Sequence, residues 1–163
     1  MNKIKKEKTN WKPVLDPTQT KMETAFVIGR TIAIESLIKQ ILVQYISPQK
    51  DRLPFLKDII LNNSMLNLGA KIKAFLFLVE TNNWKKIDEN HFHTILRIRN
   101  SFAHSDTTIL VTLSEVSYLL DSFHSGKLKK VKRKDALHEF TQSYVLVKKY
   151  LHGILKSIED TGS

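Results

Sequence analysis

Apolar residues along this chain return every three or four positions over long stretches, and short polar runs rich in turn formers separate them. That period marks helices that bury one face. The first long stretch is TAFVIGRTIAIESLIKQILVQYI at 24–46, interrupted by Arg30, Glu35 and Lys39, and Asp16, Pro17 and Thr18 supply a start signal ahead of it. SPQKDRLP at 47–54 reads as a break, and FLKDIILNN at 55–63 as a short helix. Ser64 or Asn67 then caps a helix over LGAKIKAFLFLVE, 68–80. TNNWKK at 81–86 is a loop, and Asp88 opens a helix through ENHFHTILRIRNSFAH, 89–104. The last helix has the clearest pattern: Leu137, Phe140, Tyr144, Val147, Leu151, Ile154 and Ile158 form one seam. It buries against the bundle or against a partner.

The stretch between the last two helices is ambiguous. TTILVTL at 107–113 is rich in β-formers, yet Ser114 and Glu115 also read as the start of a short helix through Phe123. Gly126 and the basic run after it make a loop or a small hairpin arm. The expected fold is therefore an all-α bundle of four to five helices, with a small β-hairpin or basic loop inserted at 107–134. A flexible basic arm, 1–16, precedes a single domain at 17–160, a size that supports one core. No internal repeat is present.

Composition narrows the chemistry. With no cysteine, disulfide frameworks, thiol nucleophiles and thiolate metal sites are excluded. The longest apolar run, AFLFLV at 74–79, is too short for a bilayer crossing, and the basic N-terminus lacks the apolar core of a signal peptide. The expectation is a cytoplasmic protein with no membrane partner. The net charge of +10 is localised: residues 1–15 and KLKKVKRK at 127–134 account for the whole excess. Lys127, Lys129, Lys130, Lys132, Arg133 and Lys134 thus form a candidate RNA-binding cluster, because such runs attract polyanions. The plainer alternative is a solvated tail and a solvated loop.

The helix ending at His104 raises the sharpest question. Wound at about 100° per residue, Phe92, Ile95, Leu96, Ile98, Phe102 and Ala103 gather on one side, with Arg99 near its centre. A buried guanidinium requires an acidic partner or an opening to water or an anion, and Glu23 and Glu35 on the first long helix are the internal candidates. His104, at the helix end, has a structural use too, since it can meet the last free carbonyls and the helix dipole.

Together, RNSFAH at 99–104 resembles the arginine, four to six residues, histidine signature of the HEPN superfamily, in which a polar residue such as Asn100 follows the arginine. The longer IRNSFAHS is similar to the branch that contains the mannitol operon repressor proteins. LGAKIKAFLFLVE and TAFVIGRTIAIESLIKQIL resemble that branch's upstream helices, so the likeness spans roughly 20–110. The resemblance implies a helical bundle that forms a homodimer with its motif helices facing across a cleft. It also implies a metal-independent endoribonuclease, of a toxin or phage-defence kind. In that role His104 acts as general base on a ribose 2′-hydroxyl, Arg99 neutralises the scissile phosphate, and Asn100 orients the phosphate or the histidine. These residue types suit the roles, since histidine titrates near neutrality and arginine presents a fork that matches phosphate oxygens. The rival expectation is a HEPN-fold regulator or adaptor without catalysis that acts by binding another protein; an antitoxin or other regulatory protein is an expected partner. A third is a module that binds nucleic acid through its lysines alone.

On a regular helix, residues five apart diverge by about 140°, so Arg99 and His104 converge only if the helix end loosens or a second subunit completes the site. No cofactor and no metal is expected. In HFH, 91–93, alternate side chains point away from each other on a helix, which does not suit chelation. Trp11 reads as packing on its own bundle or stacking on a base or partner, His138 and His152 as flank residues, and Gly69 as a boundary or close approach.

Overall fold

The computed structural model describes residues 17–47, 49–104, 107–111, 116–124 and 127–161. The expected arm at 1–16, with Trp11 and Asp16, lies outside the described residues, as do Ser114, Glu115 and Gly126.

Helix α1, Pro17–Ile46, starts with a proline, whose fixed φ suits a first turn. It ends at Ser47, which takes a left-handed φ of 43° and donates its N–H to the Val43 carbonyl at 2.9 Å. The next apolar stretch is shorter than its pattern suggested. Phe55–Ile60 is a single π-helical segment, closed by Leu61 N–H on the Leu56 carbonyl at 2.9 Å. Asn67, and not Ser64, caps α2, Leu68–Thr81, its side chain accepting from Ala70 N–H at 3.0 Å. Helix α2 closes in a Schellman motif: Asn83 has φ 52° and donates to Glu80, and Trp84 N–H reaches back to the Val79 carbonyl at 3.0 Å. Asp88 accepts from Asn90 N–H at 3.0 Å, ahead of α3, Asn90–His104.

The ambiguous stretch is a sheet. β1, Thr107–Val111, β2, Val116–His124, and β3, Lys127–Lys132, form an antiparallel meander in chain order. The alternative short helix through Phe123 is thereby overturned. Leu120 and Ser122 are buried two residues apart, a strand period, and Leu120 is opposed by Thr107 on one side and Val131 on the other. Helix α4, Arg133–Thr161, follows β3 directly, so Arg133 and Lys134 belong to a helix and not to a loop.

The core draws on α1, α2, α3 and α4. Ile34, Ile38 and Ile41 of α1, Phe75 of α2, Phe92, Ile95 and Ile98 of α3, and Phe140, Val147 and Leu151 of α4 are all buried. Helix α1 packs against α2, α3 and α4, α3 also packs on α4, and β2 lies on α3 and α4. The result is an all-α bundle with a small three-stranded insertion, as the pattern predicts. Two arginines fasten that insertion. Arg97 bonds Glu139 of α4 at 2.6 Å and Ser122 of β2 at 3.1 Å. Arg133, at the strand–helix junction, holds Glu23 at 2.5 Å and the Thr20 carbonyl at 2.8 Å, and lies over the Phe102 ring.

Candidate functional site

The two acids named as partners for Arg99 are engaged elsewhere. Glu23 pairs with Arg133, and Glu35 pairs with Lys71. The reason lies in the helix face. The side of α3 that enters the core is Phe92, Ile95, Ile98, Ser101 and Phe102, which leaves Arg99 at its edge, half-buried, and Ala103 exposed. Arg99 opens onto a cleft of about 570 Å³ between α1, α2 and α3. There it donates to Asn100 Oδ1 at 3.0 Å, and among the described residues no carboxylate forms an ion pair with it.

The cleft walls are polar where they matter. Glu35 and Asn63 form one side, and Leu68 and Gly69, the first residues of α2, form another. The first turn of a helix carries unpaired N–H groups and the positive end of the dipole, so α2 adds to the attraction of Arg99 for an anion. Behind Glu35 stands Lys71, which has no exposed surface and bonds both Glu35 and Asn63 Oδ1, the latter at 2.7 Å. Buried Lys71, held between half-buried Glu35 and exposed Asn63, fixes the position of the carboxylate that lines the cleft. Lys71 was not singled out from the sequence, although a signal for it is present. Lys71 shares a helical face with Ile72, Phe75, Leu78 and Val79, and a cation on such a face demands an acid.

The structure brings Arg99 and Asn100 together in the cleft but leaves His104 outside its lining. His104 is exposed at the last position of α3, which stays α-helical up to that residue, so the helix does not loosen to turn the two side chains together. His91 faces Ser143 Oγ at 3.3 Å while His93 is exposed, so HFH does not chelate. Among the described residues, no group of three or more His, Asp or Glu side chains is arranged to hold a metal ion. His138 contacts Gln142 at 3.0 Å and His152 is exposed.

The basic cluster divides. Lys127, Lys129, Lys130 and Lys132 are exposed along β3, and Lys134 is exposed at the start of α4. Lys130 donates to Thr108 Oγ1 at 2.8 Å and lies 3.5 Å from Asp121. Arg133 is only 6% exposed and is committed to Glu23, Thr20 and Thr24, so its expected role as an RNA contact is corrected to that of an internal tie. No described helix is long and apolar enough to cross a membrane. Comparison of the chain with protein-family models, with curated proteins and with solved structures finds no match.

Proposed function

We propose that the protein is a HEPN-type endoribonuclease that works as a homodimer without a metal ion. The observation that carries this reading is Arg99: a half-buried cation with no carboxylate partner among the described residues, opening onto a cleft that also receives the N-terminus of α2. Such a site suits a phosphate group. In this reading Arg99 and Asn100 hold the scissile phosphodiester, and His104 takes the proton from the 2′-hydroxyl. The 2′-oxygen attacks phosphorus, the bond to the 5′-oxygen breaks as that oxygen takes a proton from water, His104 returns its proton to solvent, and a 2′,3′-cyclic phosphate remains. Because His104 does not line the cleft of its own chain, the second copy is part of the site. The solvent side of α1 supports that assembly: Met22 and Ile32 are 67% and 60% exposed, and Ile32 also lines the cleft. The exposed lysines of β3 guide the RNA without reading its sequence.

The test is incubation of a mixed single-stranded RNA pool, in EDTA, with the wild type and with His104→Ala. The expected result is cyclic-phosphate ends from the wild type and a rate lower by about 10²–10⁴-fold in the variant, with fold and dimer intact. The position of His104 favours one alternative, a HEPN-fold regulator or adaptor of the mannitol operon repressor type that binds another protein without catalysis. Intact RNA with both proteins over a wide concentration range would select it.

A further inference from the structure

On the side of α3 that meets α4 lies a second concavity, a groove of about 690 Å³ between the segment after α2 and the middle of α4. His91 lines it, whereas Leu96, Arg99 and Asn100 line the cleft, so the two sites use different faces of α3. Its volume is that of a small-molecule site.

Two of its wall residues also pack on the bundle, Trp84 edge-on to Tyr45 and Tyr150 edge-on to Phe75, whereas Gly153 does not. Gly153 sits inside a 29-residue helix, where glycine is unfavourable. A Cβ there meets no atom within 4 Å, so no close contact demands its absence. What glycine leaves is depth. The opposite wall is Trp84, put in place by the Schellman turn that ends α2. Tyr150, beside them, has a buried hydroxyl with no hydrogen-bond partner among the described residues. Burial raises its pKa above the ordinary 10.0. Around the rim stand Lys85, Lys86 and Lys149, all exposed. Of the three, only Lys86 meets a described carboxylate, Glu80 at 4.0 Å.

We propose that this groove binds a small amphipathic carboxylate, its ring-sized apolar body between Trp84 and Gly153 and its anionic head at the lysine rim. Tyr150 adds its ring to the apolar wall, its hydroxyl being closed off from the groove. The apolar walls select the body, and the lysines select the sign of the head. This site does not depend on the ribonuclease reading.

The chain has two tryptophans, so Trp11→Phe leaves Trp84 as the sole fluorescent reporter. That protein is titrated with 4-phenylbutanoate, and with 4-phenylbutylamine and 4-phenylbutanol as cationic and neutral probes of the same size. The expected result is a saturable change in Trp84 emission, with affinity for the carboxylate at least tenfold above that for the amine. Gly153→Leu fills open space and improves the helix, so its thermal midpoint does not fall while binding is lost. Lys149→Glu, an exposed change, reduces the preference for carboxylate over amine and tests the rim independently. Equal response to the amine, absence of saturation, or unchanged binding in Gly153→Leu would overturn the proposal. So would emission that follows protein concentration without probe, which would make the groove a contact between copies.

Discussion

Lys71 and Arg99 are both cations on helices that bury one face, and their surroundings treat them in opposite ways. Lys71 is fully enclosed and neutralised by Glu35, whose own side chain is 13% exposed at the cleft wall. Removing the acid strands a charge in the core, a loss that breaks folding more than the intact pair supports it. Glu35→Ala is therefore expected to lower the unfolding free energy by about 3–5 kcal/mol. Glu35→Gln, which keeps an acceptor for Lys71, costs less. Glu35→Leu combined with Lys71→Met, which removes both charges, regains most of the loss. Urea denaturation of the four proteins checks the order, and equal stability of Glu35→Ala and wild type would refute the burial argument. Arg99 needs no such partner because the core face turns away from it toward Ser101. A wheel drawn from apolar residues alone centres that face too close to Arg99, since it has no way to count a buried serine.

At the scale of elements, legibility follows how local the deciding interaction is. The seam of α4 was readable because its period is uninterrupted: Phe140, Tyr144, Val147, Leu151 and Ile154 are all buried. The cap of α2 was readable as a choice of two, and geometry selects Asn67, whose oxygen reaches Ala70 N–H. Asn67→Ala should cost about 1 kcal/mol, within the usual 0.5–2 for a lost cap, whereas Ser64→Ala should stay within about 0.5 kcal/mol. Thermal unfolding of the two variants decides between the residues. β2 was not readable from its own residues, because what makes it a strand is pairing on both edges, with β1 and β3. Arg133 was hidden in the same manner. Within KLKKVKRK it is one cation among six, and only the junction of β3 and α4 turns it inward onto Glu23 and Phe102.

Across the whole molecule, the +10 charge has a structural and an electrostatic share. Arg133 belongs to the first, and the exposed lysines of β3 to the second. Lys127 and Lys129 project from an edge strand, and neither has an ion-pair partner among the described residues. If they meet RNA phosphates, each releases counterions on binding, and each lost contact flattens the dependence of log affinity on log salt by about 0.7 for a single strand. Lys127→Ala with Lys129→Ala should therefore reduce that slope by about 1.4, leaving the thermal midpoint and the cleavage pattern unchanged. Arg99→Ala differs in kind: it should abolish cleavage while altering the slope by no more than one contact. Binding of a fluorescent single-stranded RNA between 50 and 300 mM salt separates the two. A slope unmoved by the lysine pair would mean that RNA does not lie along β3, and the hairpin charge would then serve only to keep an open strand edge from pairing with other chains.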